Sequence, residues 1–224
     1  MNTIMLSIVN KAEIVQIVTS LLVILLSFPV HECAHAWVAY KLGDYTGKNS
    51  GRITLNPKVH IELWGALMLF VMGVGYAKPV PVNQSNLRRP KRDFAIISLA
   101  GPLSNLILAL LLLLVAKAIE GIAGTGAADT EILSFILACL RDASYVNVCL
   151  AVFNMLPIPP LDGFSILIAI VPDRFYSRLM GLKRNAVYAL LGLFLVFNLV
   201  GTSPITSIAQ KVFYVAEGIL DKVI

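Results

Sequence analysis

The chain has 224 residues, 58% of them hydrophobic and 14% charged, with a mean hydropathy of +0.81 and a formal net charge of +5. Soluble domains carry about a quarter charged residues, so an ordinary cytosolic globule is excluded, as are a disordered chain and, with three cysteines, a fully paired disulfide scaffold. What remains is a membrane protein: one integral domain over residues 1–224, with room for roughly four to six spans of about 20 residues each.

The first apolar run, Ile14–Tyr40, is long enough for one tilted helix and contains Pro29-Val30-His31-Glu32-Cys33-Ala34-His35 towards its end. No small-residue cleavage site interrupts it, so it is expected to stay as an anchor. A polar loop follows, with Lys41, Lys48, Arg52 and Lys58 punctuated by Gly43, Gly47, Gly51 and Pro57, and Arg52–Leu55 reads as a short strand. Ile61–Ala77 is apolar apart from Glu62 but short for a span; with Gly65, Gly73 and Gly75 it fits a re-entrant segment as well as a crossing. Lys78-Pro79-Val80-Pro81-Val82-Asn83 is expected to be extended, because a proline pushes its predecessor to β or polyproline geometry.

Arg88, Arg89, Lys91 and Arg92 form the densest positive cluster and mark a cytoplasmic loop. Phe94–Ile119 is the clearest span, with Gly101-Pro102 and Asn105 in its first half. The connection from Glu120 to Glu131 has no basic residue and is therefore external. Ile132–Val171 is too long for one straight span and is broken by Pro157, Pro159 and Pro160 before Leu161-Asp162-Gly163. Arg174, Arg178, Lys183 and Arg184 give a second cytoplasmic loop, Ala186–Gly201 a last apolar run, and Pro204–Ile224 an amphipathic tail expected to lie on a surface. The fold class is thus an all-α polytopic membrane protein with short membrane-associated β-strands, its N-terminus outside and four firm crossings. Because the basic residues fall in short clusters between apolar runs, they set topology, and no nucleic-acid partner is expected. No internal repeat stands out, which argues against the repeat-built transporter folds.

His31-Glu32-Cys33-Ala34-His35 carries the chemistry. Two histidines four apart lie about 40° apart around a helix and one turn along it, so both imidazoles reach one Zn²⁺. The glutamate between them is placed to take a proton from a zinc-bound water, whose pKa the metal lowers to about 7. With 3 His and 6 Glu in the chain, chance gives this spacing roughly 0.001 times, and ionisable groups inside a membrane helix are costly and usually functional. A catalytic zinc needs a third protein ligand. Asp162 is the best candidate, since the proline-broken segment before it can turn a carboxylate inwards; Glu62, His60 and Asp142 are the alternatives. The charge rule puts His31 and Asp162 at one depth, near the cytoplasmic side. Asn105 and Asn154 lie at similar depth, where each either bonds a neighbouring helix or serves substrate backbone and the developing oxyanion. Gly101-Pro102 reads as a packing and kink device.

These segments resemble the site-2 protease family of intramembrane zinc metalloproteases, in its short subgroup without PDZ or CBS domains. The resemblance rests on His31-Glu32-Cys33-Ala34-His35, on Ala100-Gly101-Pro102-Leu103-Ser104-Asn105 and on Asn154-Met155-Leu156-Pro157-Ile158-Pro159-Pro160-Leu161-Asp162-Gly163, and spans about residues 28–165. It implies one zinc per chain on His31, His35 and Asp162, Glu32 activating water, Asn154 assisting near the substrate, and cleavage of peptide bonds within or beside transmembrane segments of other membrane proteins. A plasma-membrane setting with a cytoplasmic-facing site accompanies it.

Hydrolysis at membrane depth requires a hydrated cavity, which Gly65, Gly73 and Gly75 could line or hinge. A helical substrate must also unwind, and an edge strand would satisfy its freed backbone donors. Residues 51–56 or 78–83, with Val80 and Val82 at the contact, are the expected edge. Two rival readings remain: a non-catalytic zinc-binding scaffold, disfavoured by Glu32 and by the four-ligand habit of structural zinc, and a metal transporter, which does not require a glutamate between the histidines.

Overall fold

The computed structural model describes residues 10–72, 75–127, 130–183, 192 and 204–222. Helix α1, Lys11–Leu22, opens with a capping box: Asn10 accepts from the Glu13 amide, and the Glu13 carboxylate accepts from the Asn10 amide. It passes through a π-helical turn, Val23–Ser27, into α2, Phe28–Lys41. Proline at position 29 has no amide to give the helical ladder, and the ladder shifts beside it, with the Phe28 amide reaching back five residues to the Val23 carbonyl. Asn147 of a later helix donates to Ser27 Oγ at 2.9 Å, tying the shifted turn to the body of the protein.

Two short helices, α3 (Thr46–Asn49) and α4 (Pro57–His60), follow, then α5, Leu63–Met72. At ten residues α5 is about 15 Å long, half the thickness of the hydrocarbon layer. The chain then returns along it. A Cβ on Gly65 would stand 1.9 Å from the Tyr76 carbonyl oxygen, and one on Gly75 would stand 2.5 Å from the Gly65 carbonyl oxygen. Backbone is packed on backbone there, which only glycine permits, so residues 75 and 76 lie directly against α5. Gly73 lies outside the described residues.

Helix α6, Pro90–Ala127, is the longest, and α7, Glu131–Asn154, returns beside it. Residues 155–161 break the chain before α8, Asp162–Ile170. A short α9, Tyr176–Lys183, and α10, Pro204–Leu220, complete the described elements. Three described stretches are long and apolar enough to cross a membrane: Lys11–Lys41, Pro90–Ile122 and Glu131–Asn154. The expected crossing at 186–201 lies outside the described residues apart from Gly192.

Small residues let these helices approach closely, as in other membrane bundles. Ala36, Ala39, Ala116, Ala143 and Ala151 are buried, and Ser144 donates to the Ala109 carbonyl at 2.8 Å. Among the described residues Leu103, Ile107, Leu110, Leu111 and Leu114 of α6 are left exposed and form an apolar stripe along it.

Two expectations change. Among the described residues there is no strand: 51–56 is a turn and bend, and 75–83 is extended without a ladder partner. The reason lies in the donors, since Pro79 and Pro81 have none and the amides of Lys78, Val80 and Asn83 bond His60, Glu32 and Asp44 instead. The tail does not simply lie on a surface. Ala209 of α10 is buried against Ala109 and Val148, and Phe213 meets the Tyr145 ring edge-on at 5.7 Å. At its end Lys117 of α6 pairs with Asp221, and Arg141 of α7 pairs with Glu217 at 3.9 Å, tying α10 to α6 and α7, while Arg141 also pairs with Glu120 of α6 at 2.8 Å.

Candidate metal centre

Three elements build the site. Helix α2 supplies His31, Glu32 and His35, all buried although they sit in an apolar helix. Helix α8 supplies Asp162 as its first residue. Gly163 makes that placement possible, because any Cβ there would stand 2.2 Å from the Met155 carbonyl oxygen; the start of α8 is seated directly on the turn that ends α7. Helix α6 forms the third wall, and Ile97, Gly101 and Asn105, spaced four apart, present one face to the histidines.

The ligand atoms converge. His31 Nε2 and His35 Nε2 are 3.0 Å apart, and Asp162 Oδ2 lies 3.3 Å from the first and 3.4 Å from the second. A tetrahedral zinc with bonds of about 2.0–2.1 Å requires its donors to be about 3.3 Å from one another, so the spacing fits.

Tautomers strengthen the argument. His35 Nδ1 donates to the Ile97 carbonyl at 2.7 Å, and His31 Nδ1 donates to Asn105 Oδ1 at 3.1 Å. With both protons on Nδ1, both Nε2 atoms turn lone pairs towards each other and towards a carboxylate oxygen that is buried and has no hydrogen-bond donor. Three lone pairs facing one point repel unless a cation occupies it. The donor set of two imidazoles and one carboxylate is that of catalytic zinc, which keeps a fourth position open.

Gly101 completes the space. A Cβ there would meet His35 Nε2 at 2.4 Å and His31 Nε2 at 2.6 Å, so any side chain at 101 would crowd the two ligand nitrogens. The reading of Gly101 as a packing and kink device missed this, and its place one turn before Asn105 was the available signal.

The other candidates are placed as follows. Glu32 is buried, with Oε2 accepting the Val80 amide at 3.0 Å. Asn105 is almost wholly buried on His31. Asn154, half-buried at the end of α7, donates to the Leu150 carbonyl one turn back at 3.0 Å. Val82 packs with Val38, Leu42 and Phe94 around Ala39, Leu87 and Ile97. His60, Glu62 and Asp142 stand outside the group of ligand atoms that lie within 4.8 Å of one another. His60 is fully buried and donates through Nε2 to the Thr54 carbonyl at 2.8 Å, and burial pushes its pKa below the usual histidine value.

The amino-acid sequence matches peptidase family M50 over residues 19–137 and 119–199. This chain belongs to that family, the site-2 proteases. It is 38% identical over 173 residues to "Putative zinc metalloprotease YwhC" of Bacillus subtilis (strain 168), covering 76% of this chain and 77% of the relative. It is 32% identical over 183 residues to "Putative zinc metalloprotease Rip2" of Mycobacterium tuberculosis (strain H37Rv), covering 79% and 66%. It is 26% identical over 194 residues to "Zinc metalloprotease MJ0392" of Methanocaldococcus jannaschii, covering 86% of this chain and 46% of that one. No solved structure matches this M50 chain.

Proposed function

We propose that this M50 protein is an intramembrane zinc metalloprotease that hydrolyses peptide bonds within or beside transmembrane segments of other membrane proteins. The observation that carries the reading is the convergence of His31 Nε2, His35 Nε2 and Asp162 Oδ2 at 3.0–3.4 Å, with a glutamate on the same buried helix turn. A structural zinc would be closed by a fourth protein ligand, and no fourth group joins the three among the described residues.

Zinc, when bound, supplies Lewis acidity, polarising the scissile carbonyl and lowering the pKa of the attacking water. Glu32 takes the proton of that water and returns it to the leaving amide nitrogen, as a general base and then a general acid. The Val80 amide holds one of its carboxylate oxygens and so fixes the direction of the other. Asn105 and the Ile97 carbonyl hold the imidazoles in the tautomer that binds metal. Asn154 exchanges its local bond to Leu150 for the backbone of the bound substrate.

A transmembrane substrate must expose its carbonyls before any can be attacked. The extended stretch 78–83 receives the unwound segment by strand addition, with Val80 and Val82 as the contact. Pro79 and Pro81 have no amide and the Val80 amide is given to Glu32, so within 79–82 the Val82 amide is the donor turned to substrate. The basic clusters at 88–92 and 174–184 support a plasma-membrane protein whose site opens towards the cytoplasm.

The test is cleavage mapping by mass spectrometry on a panel of single-span peptides, using zinc-loaded protein in detergent beside a Glu32→Gln control. One bond cut inside an apolar segment, lost in the control and with a chelator, is the expected result. Identical product patterns from both proteins would sink the protease reading.

A further inference from the structure

We propose that Asp44 and Arg52 are positioning residues that hold the backbone of residues 78–83 against Glu32. The inference rests on the reading of Glu32 as the general base and deepens it. Neither residue touches the ligands; each grips one end of the extended stretch whose middle donates to the Glu32 carboxylate.

Arg52 grips the first end. It is 4% exposed, and its two terminal nitrogens donate to the carbonyls of Val59 and Lys78. Among the described residues it forms no ion pair with a carboxylate. A buried guanidinium spent on backbone carbonyls is costly unless their position matters, and its fork joins two carbonyls nineteen residues apart. The Lys78 amide continues the clamp by donating to the His60 carbonyl at 2.8 Å.

Asp44 grips the other end. It is fully buried and accepts the Asn83 amide at 2.8 Å, Asn86 Nδ2 at 2.8 Å, and both the amide and the hydroxyl of Thr46. Charge-assisted bonds of this kind are the stronger ones, so the end at Asn83 is held firmly. Gly47 of α3 lets the middle close down, since a Cβ there would stand 3.1 Å from Val80 Cγ1. With both ends fixed and the middle pressed on α3, the Val80 amide has one place to point: Glu32 Oε2 at 3.0 Å.

The loop after the histidine helix therefore reaches back over it, through two buried charges, to orient the carboxylate that the helix carries. Without the anchors the extended stretch would keep its sequence and its prolines but lose its address.

The test is hydrogen–deuterium exchange of the full-length protein in detergent, combined with turnover per zinc-loaded chain, for Arg52→Gln, Arg52→Lys and Asp44→Asn. Pro79 and Pro81 have no amide, so a peptide covering 79–82 reports Val80 and Val82 alone. Arg52→Gln and Asp44→Asn are expected to raise exchange in that peptide at least tenfold, to leave exchange of α6 and α7 and the zinc content at the wild-type level, and to lower kcat about tenfold. Arg52→Lys should behave like Arg52→Gln, because an ammonium keeps the charge but not the fork. Unchanged exchange at 79–82, raised exchange with unchanged kcat, or an equal rise across α6 and α7 in both anchor variants would each overturn the proposal. Should the wild-type protein cut no substrate, the protease reading fails by itself, and the exchange measurement still decides the anchors.

Discussion

The side-chain oxygen of Asn105 sits 3.1 Å from His31 Nδ1, across 74 residues of sequence. That contact joins the second span to the first and fixes the proton of the imidazole on the nitrogen facing away from the ligand cluster. Removing such a partner typically weakens metal binding by about 10–100-fold. Asn105→Ala is therefore expected to bind zinc more weakly by a factor in that range, read by competition with a chromophoric chelator. Asn105→Asp, which keeps the acceptor, should retain most of the affinity. An Asn105→Ala chain with wild-type affinity would show that His31 does not depend on this bond.

Gly101 makes a sharper case. The added methyl of Gly101→Ala would stand 2.4–2.6 Å from both imidazoles, a distance no carbon keeps, so α6 or the ligands must move. Zinc affinity is expected to fall by at least about tenfold, with turnover falling in step. Zinc content after dialysis, measured beside thermal unfolding, separates a displaced site from a collapsed bundle. A Gly101→Ala protein with full zinc and full turnover would contradict the geometry.

How much of this was legible in the residues depends on how local the physics is. His31, Glu32 and His35 share one helix turn, so spacing alone places them together. Asp162 was readable from its proline-broken setting and from charge topology. Asn105 stood out as an amide in an apolar run, and Gly101, one turn earlier on the same face, could have been read with it. Arg52 and Asp44 could not, because their partners are backbone groups of Val59, Lys78 and Asn83, and backbone has no side-chain signature. The expected strands failed for a related reason. The prolines at 79 and 81 do predict an extended chain, but extension says nothing about whether its donors meet another strand or a glutamate. Hydropathy likewise showed α10 to be amphipathic without showing that Ala109 and Val148 would cover it.

Val80→Pro isolates the amide bonded to Glu32. The substitution suits the extended backbone between two prolines and removes one donor, so the fold and the zinc site are expected to survive while turnover drops by about tenfold or more. Val82→Pro tests the same stretch at a residue whose amide is expected to meet substrate, and should act more on KM than on kcat. Zinc content and single-turnover cleavage are the two measurements. Unaltered turnover in both variants would remove residues 78–83 from the mechanism.

The Asp44 anchor has a pH signature outside the membrane-spanning segments. Burial pushes its carboxyl up, but the hydrogen bonds from Thr46, Asn86 and the Asn83 amide outweigh that and hold it below the usual aspartate value. A group whose folded pKa is depressed contributes stability that is present above its unfolded pKa of about 3.9 and is lost as pH falls through the folded value. The wild-type protein should thus lose stability below about pH 4, a window set by the unfolded reference. Asp44→Asn cannot titrate. It is expected to be less stable than wild type by ~1–3 kcal/mol at pH 7, where the charged acceptor is missing, and to converge with wild type in acid. Thermal unfolding of both proteins in detergent between about pH 3 and 7 checks this, and parallel profiles with a constant offset would show that the charge on Asp44 contributes nothing.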